Sequence, residues 1–193
     1  MKLAELMNGV KPDSKYTGFV TNDDWVLALD LSPNGETKTE PKDYHVVQMG
    51  IEGLDAQLNP ITQDKTYIRA GQSSQKTGTQ RSFKVGGDRY IGDPVQDYMF
   101  SHDIAYGTGN KVITNYVYFN ILTGKGEKGQ VSIIVNSAGS GNAGESSGID
   151  VELKKVGAMP VEYEWESDNT SAESGTENTE QTTDDPEAGT ETT

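Results

Sequence analysis

Short runs in which apolar and polar residues alternate recur between residues 25 and 165, and they constrain the fold more than any other feature of the sequence. In residues 25–31 every second residue is apolar: Trp25, Leu27, Leu29 and Leu31. Successive side chains of a β-strand point to opposite sides, so this run predicts a strand with one buried face. Residues 112–122 are rich in β-branched and aromatic residues on both faces, which predicts a strand that is covered on both sides.

Weaker alternation and turn signals divide the rest of this region. We expect further strands over residues 45–51, 66–70, 80–85, 131–135, 149–156 and 161–165, which makes about eight in total. Polar, Gly-rich turns separate them, namely residues 32–43 with the pair Asn34-Gly35, residues 71–78 and residues 124–129. Short strands at regular spacing predict an all-β sandwich or barrel.

One segment has the pattern of a helix instead. Asp93 is a favoured N-cap residue, Pro94 is tolerated at the first helical position, and Gln96 stands at the third. Val95 and Met99 are four residues apart and therefore share a face. We expect a single helix of two or three turns that closes one end of the sheet core.

The composition disfavours most catalytic and ligand-binding classes. The chain has no Cys and two His, which leaves no thiolate metal site and little for a His-based relay or metal centre. Its 16 Lys and Arg against 30 Asp and Glu, a net charge of −14, disfavour binding to nucleic acid by phosphate neutralisation. We predict no enzyme, no metal and no cofactor. The lack of a long apolar run predicts no membrane span and no secretory signal.

The composition changes sharply after Trp165. Residues 167–193 carry eight acids and no Lys, Arg, aromatic, Leu, Ile, Val or Met. Such a segment cannot bury enough apolar surface to offset the entropy of ordering it. We predict an acidic disordered tail over residues 167–193.

Two Gly-rich stretches resemble phosphate-binding loops. Residues 139–144 match G-x-G-x-x-G, but a strand rather than a helix is expected next, so the dinucleotide interpretation lacks its context. Residues 124–129 lack the Gly-Lys-Ser/Thr ending of a P-loop. Hairpin turns are the favoured interpretation of both.

Three acids near the end of the apolar region form a separate pattern. Glu162, Glu164 and Glu166 alternate with apolar residues, so a strand here has one apolar and one wholly acidic face. An ordinary solvated face is the simpler interpretation. The functional interpretation is a surface that repels another polyanion.

Residues 81–101 carry a resemblance to a known family. They run from a predicted strand through Gly-Asp-Arg (87–89) and Gly-Asp-Pro (92–94) into the predicted helix. In these motifs, and above all in the Gly-Asp-Pro-x-Gln-Asp stretch, the chain resembles the major tail tube proteins of long-tailed (siphovirus-type) bacteriophages. The strands expected at 115–120 and 149–156 are also similar, so the resemblance spans about residues 25–165.

The resemblance implies a β-sandwich or half-barrel flanked by one helix, whose subunits close into six-fold rings that stack into a hollow tube for genome ejection. It implies an N-terminal arm over residues 1–15, a tube domain over 16–166, and a loop that contacts the neighbouring ring: Ser32, Pro33, Asn34, Gly35, Glu36, Thr37 and Lys38. The implied partners are further copies of the chain, the tail-tip initiator, the tape-measure protein and the tail terminator, in a virion tail assembled in the host cytoplasm. Double-stranded DNA would pass without specific binding, and the three acids are candidates for the lumen.

Two other assignments stay open. The tube of a contractile tail or of a secretion apparatus is a close variant of the same fold. A monomeric β-sandwich module that binds a ligand such as carbohydrate is the alternative of another class, with Trp25, Trp165 and nine Tyr as possible stacking platforms. Self-association distinguishes them, because a binding module stays monomeric and a tube protein forms rings.

Overall fold

A computed structural model describes residues 1–32, 35–36 and 39–166, and within these residues the chain forms nine strands and three short α-helices. The strands are β1 (Trp25–Leu29), β2 (His45–Val46), β3 (Ile51–Gln57), β4 (Pro60–Tyr67), β5 (Gly71–Thr79), β6 (Ser82–Asp88), β7 (Ile113–Asn120), β8 (Lys125–Ser140) and β9 (Gly148–Glu164). The helices are α1 (Leu3–Leu6), α2 (Pro94–Met99) and α3 (His102–Ala105). The predicted tail over 167–193 lies outside the described residues.

Seven of the strands form one antiparallel sheet in the order β2-β1-β7-β8-β9-β6-β3. The sheet is curled, as the distances between aromatic rings on β6 and β7 show. The ring of Phe83 on β6 lies 5.0 Å from that of Tyr116 and 5.1 Å from that of Tyr118, both on β7. These strands are three places apart in the sheet, which in a flat sheet is about 14 Å. The predicted all-β, half-barrel fold is confirmed.

The concave side of the sheet encloses the main core. Leu27 and Leu29 of β1 face Phe83 and Val85 of β6 across it. The helices α2 and α3 close this core, with contacts from the buried side chains Val95, Met99 and Ile104. The predicted helix at the end of the core is confirmed in position at α2, but it has six residues, fewer than two turns. The prediction of a single helix is wrong, because the structure adds two four-residue helices, α1 and α3.

The convex side of β1 and β7 carries a second core. Val117 and Phe119 of β7 point to this side, so the prediction that β7 is covered on both faces is confirmed. The N-terminal residues supply the cover, with Leu3 and Met7 fully buried here. They also extend the sheet, because Leu3 N donates to Tyr44 O at 2.8 Å beside the two-residue edge strand β2.

The strand predicted over residues 45–51 is wrong. The chain leaves β2 at Val46, turns, and enters β3 at Ile51. Gly50 in the turn has φ +70, and a Cβ there would overlap the Asp88 carbonyl. The alternation of apolar residues in this segment therefore crosses a turn that only glycine fits.

The segment predicted as a strand at 66–70 and a turn at 71–78 has the opposite arrangement. Residues 71–79 form β5, which pairs along its length with β4, and the turn lies between them with Arg69 at φ +65 and Gly71 at φ +77. Nearly all side chains of this hairpin are exposed. Because neither face is buried, its strands lack the apolar alternation on which the prediction depended.

The C-terminal strands are longer than predicted. Residues 149–156 and 161–165 were predicted as two strands, whereas β9 runs through both and accommodates Gly157 at φ +68 in a bulge beside β8. Residues 124–129 were predicted as a turn, but most of them lie in β8. Gly126 permits this, because a Cβ there would overlap the backbone of β7.

Candidate functional site

The residues that carry the family resemblance form a polar network between β6 and α2. Asp93 is the N-cap of α2, where its Oδ2 accepts from Gln96 N at 3.0 Å. Pro94 opens the helix, at a position where its missing N–H has no intrahelical partner. The turn into α2 is thus fixed by local chemistry that the sequence displays.

Gln96 is the buried centre of this network. Its Nε2 donates to Met49 O at 2.6 Å and to Asp88 O at 3.1 Å, and its Oε1 accepts from Tyr90 N at 2.8 Å. One side chain therefore joins the turn before β3, the end of β6 and the loop that leads to α2. A buried polar network with every partner present rigidifies the segment that it joins.

Arg89 and Asp97 close the outer side of the network. Arg89 Nη2 donates to Asp97 Oδ1 at 2.6 Å, and Gly92 N donates to Asp97 Oδ2 at 2.9 Å. The bond from Arg89 holds the pKa of Asp97 below its ordinary value. Each polar residue of the Gly-Asp-Pro-x-Gln-Asp stretch thus has a role in shaping the fold.

The loop predicted to contact a neighbouring ring is anchored to the sheet where it is described. Gly35 is buried, and its carbonyl accepts from Gln130 Nε2 at 3.1 Å. Asn115 Nδ2 donates to Glu36 O at 3.4 Å, and the hydroxyls of Ser32 and Thr39 lie 3.1 Å apart. Of the predicted contact residues, Pro33, Asn34, Thr37 and Lys38 lie outside the described residues. Contact between rings through this loop stays a prediction.

The β4–β5 hairpin is an exposed feature that the sequence pattern did not predict. It extends from the β3–β6 pair, and eight residue pairs join its two strands, from Pro60 with Thr79 to Tyr67 with Gly71. At its turn Tyr67 is 53% exposed and Ile68 is 94% exposed. The available signal was the central Arg69-Ala70-Gly71 turn between two polar runs of similar length.

The three acids predicted for one strand face lie at the end of β9. The alternation holds for Tyr163 and Trp165, whose rings lie 5.6 and 6.2 Å from that of Phe119. It fails at Val161, which is 56% exposed. Glu162, Glu164 and Glu166 are exposed, and whether they face a lumen stays a prediction.

The acids line a groove of about 1260 Å³ between the end of β9 and the N-terminal segment. Apolar side chains, including Met7, Val10 and Trp165, contribute to its walls. Burial and the nearby Glu166 carboxylate raise the pKa of Tyr163 in this groove to about 12. Its charged lining residues are Glu5, Lys11, Glu40, Lys42, Lys128, Glu162, Glu164 and Glu166.

The two tryptophans offered as sugar platforms pack against other rings, whereas four of the tyrosines offered with them are exposed, namely Tyr16, Tyr67, Tyr90 and Tyr106. Trp25 stacks on Tyr118 with ring centroids 5.0 Å apart and planes 11° apart. Trp165 lies nearly parallel to Phe119 over the second core. This packing supports a core role for both tryptophans.

The Gly-rich stretch at 139–144 lies in the hairpin connection between β8 and β9, as predicted. Within the described residues no group of three or more His, Cys, Asp or Glu is placed to hold a metal ion. No helix in the same residues is long and apolar enough to cross a membrane.

No family model and no curated protein matches the sequence. A chain of the tail of an empty gene transfer agent (GTA) particle, determined by helical refinement with C6 symmetry, is similar in structure, with a TM-score of 0.52 and 14% identity over 72% of this chain and 96% of that one. A chain of the sheath-tube complex of an extracellular contractile injection system has a TM-score of 0.46 and 7% identity, over 78% of this chain and 94% of that one. The chain therefore has the fold of the GTA tail protein.

Proposed function

We propose that this protein is the structural subunit of a tail tube, which assembles into stacked six-membered rings around a channel that conducts DNA. The likeness to the GTA tail chain carries the proposal, because it covers 96% of that chain, whose assembly was refined with C6 symmetry. The family resemblance of residues 81–101 supports the same function on separate grounds.

The free edge of the sheet supports assembly through strands. Among the described residues β6 is the only strand neighbour of β3, so no strand pairs with its outer edge, where Leu54 O accepts from the Asn22 side chain at 3.3 Å. An exposed edge of seven residues is an aggregation hazard for a monomer, and closure into a ring removes it. A head-to-tail interface that closes by rotation produces such a ring.

The charge of the body suits a channel for DNA. The eight acids of residues 167–193 leave 22 acids against 16 bases in residues 1–166, a net charge of −6. A surface that neutralises phosphates retains DNA, whereas an acidic one lets it pass. This supports a passive conduit for DNA.

The finer assignment follows the family resemblance. We place the tube in a long, siphovirus-type phage tail, with the tail-tip initiator, the tape-measure protein and the tail terminator as partners. Assembly would occur in the host cytoplasm before the tail joins the virion.

Solution mass tests the proposal. Light scattering of the purified chain, alone and with a preformed tail tip, should show growth to masses of many subunits in at least the second case. A mass that stays at one subunit in both cases, at every concentration, would refute self-assembly and favour the monomeric binding module.

A further inference from the structure

We infer that the tip of the β4–β5 hairpin inserts into the groove beside β9 of a second copy of the chain. The tip consists of Lys65, Tyr67, Ile68 and Arg69, and the groove is the one lined by Glu162, Glu164 and Glu166. The inference rests on the proposed function and names the two surfaces through which copies meet.

The tip has the chemistry of an anchor. Ile68 and Tyr67 expose apolar surface at the end of a hairpin, and Lys65 and Arg69 place two positive charges beside them. The turn is fixed by Arg69 and Gly71, whose positive φ values suit a tight reversal. A preformed anchor loses little entropy on binding.

The groove has the complementary chemistry. Its lining contains five acids and three lysines, a net charge of −2 against +2 at the tip. The partly exposed apolar side chains Val10 and Trp165 offer a surface on which Ile68 and Tyr67 would be removed from water. Its volume of about 1260 Å³ exceeds the range of about 300–1,000 Å³ that holds a drug-sized ligand, so two or three side chains fit.

A second copy is the occupant that the charges favour. The tip does not fill the groove of its own chain, since Tyr67 and Ile68 are exposed. Residues 167–193 follow the groove in sequence and are the alternative occupant. Their eight acids would be repelled by the five acids of the groove lining, so charge disfavours them. Tip and groove are different surfaces, so each copy offers one of each, and the contact propagates from subunit to subunit.

This use of the acids excludes the lumen position predicted from sequence, and the difference can be measured. If the acids face the lumen, reversing their charge leaves assembly intact. If they receive the hairpin tip, the same reversal weakens assembly, and reversing the tip restores it.

The test is a charge exchange on the full chain. A tip variant carries Lys65→Glu and Arg69→Glu, and a groove variant carries Glu162→Lys and Glu164→Lys. A control variant carries Lys76→Glu and Lys111→Glu, which change net charge as the tip variant does at exposed residues outside the tip and groove. Circular dichroism verifies that each variant is folded, and light scattering gives the concentration at which each assembles, with a preformed tail tip if the wild type needs one.

The tip and groove variants should each need about tenfold more protein than the wild type to assemble, while the control stays within twofold. An equimolar mixture of the tip and groove variants should assemble near the wild-type concentration, because the exchanged charges attract again. Assembly of both single-surface variants at the wild-type concentration would overturn the inference, as would failure of the mixture to recover. A wild type that never assembles would instead refute the proposed function itself.

Discussion

Arg81 Nε donates to the Glu127 carboxylate at 2.5 Å, and this ion pair joins β6 to β8 across the curled sheet. The Arg81 side chain precedes β6 and is only 7% exposed. Its guanidinium carbon lies 4.5 Å from the centre of the Phe83 ring, and Tyr116 OH donates to the same Glu127 oxygen at 3.1 Å. A buried charge is tolerated when it is paired and hydrogen-bonded. The Glu127 carboxylate meets both conditions, because it accepts from Arg81 and from Tyr116.

Replacing Arg81 should therefore be costly. Arg81→Met leaves Glu127 without its cation in a largely buried site, so the free energy of unfolding should fall by about 3–5 kcal/mol in urea titrations. The control is Lys154→Met, which breaks a pair with Glu152 at 3.1 Å whose lysine is 45% exposed, and should cost less than about 1 kcal/mol. Equal losses in the two variants would contradict a structural role for the buried pair.

Two adjacent glycines of β6 should respond differently to a methyl group. A Cβ at Gly87 would overlap Gly50 O, whereas one at Gly86 would lie 3.8 Å from Ile149 O, an ordinary contact. We expect Gly87→Ala to lower the free energy of unfolding by about 1–3 kcal/mol through overpacking, measured by urea unfolding. Gly86→Ala should change it by less, and a larger effect at Gly86 would show that the β3–β6 junction is packed differently.

The N-cap of α2 should contribute a modest and specific amount. Asp93→Ala removes the acceptor for Gln96 N and should cost about 1 kcal/mol of unfolding free energy in urea titrations. Asp93→Asn keeps an oxygen at the cap and serves as the matched control, with a smaller loss. If Asn is as damaging as Ala, the cap hydrogen bond is not what Asp93 supplies.

Alkaline pH should loosen the second core. The pKa of Tyr44 is raised from 10.0 to about 12, mainly by burial and to a smaller extent by the negative charge of Asp30. The folded state keeps this proton more tightly than the unfolded chain, so the stabilisation is full below pH 10 and is lost as pH rises through 12.

Urea unfolding between pH 9 and pH 12 measures this effect. The free energy of unfolding should fall above about pH 10, and phenolate absorbance should show Tyr44 ionising late. Tyr44→Phe is the control, and its pH dependence should be shallower than that of the wild type. A stability that does not change with pH over this range would contradict the burial of the Tyr44 hydroxyl.

Sequence patterns correctly predicted the elements whose structure is determined by neighbouring residues in the sequence. The two covered faces of β7 follow from its run of β-branched and aromatic residues, and α2 begins where Asp93 and Pro94 indicate. The β4–β5 hairpin was not predicted because neither of its faces is buried. The turn at Gly50, which separates β2 from β3, depends on close contact with the Asp88 carbonyl, and that contact exists only in the folded chain.

The candidate site was harder to predict because it combines distant segments. The acids of β9 were visible in the sequence, but the groove exists only because the N-terminal segment packs beside them. The pairing of Arg81 with Glu127 joins residues 46 positions apart, and it depends on the curl of the sheet. Alternation reports which face a residue is on and gives no information about which distant segment covers that face.

The most direct test of the tube proposal is negative-stain electron microscopy of the purified full chain, with a preformed tail tip to start assembly. End-on views should show rings with six-fold rotational symmetry around an open centre, and side views should show hollow tubes of stacked rings. Monomers alone, or closed particles without a channel, would contradict the account.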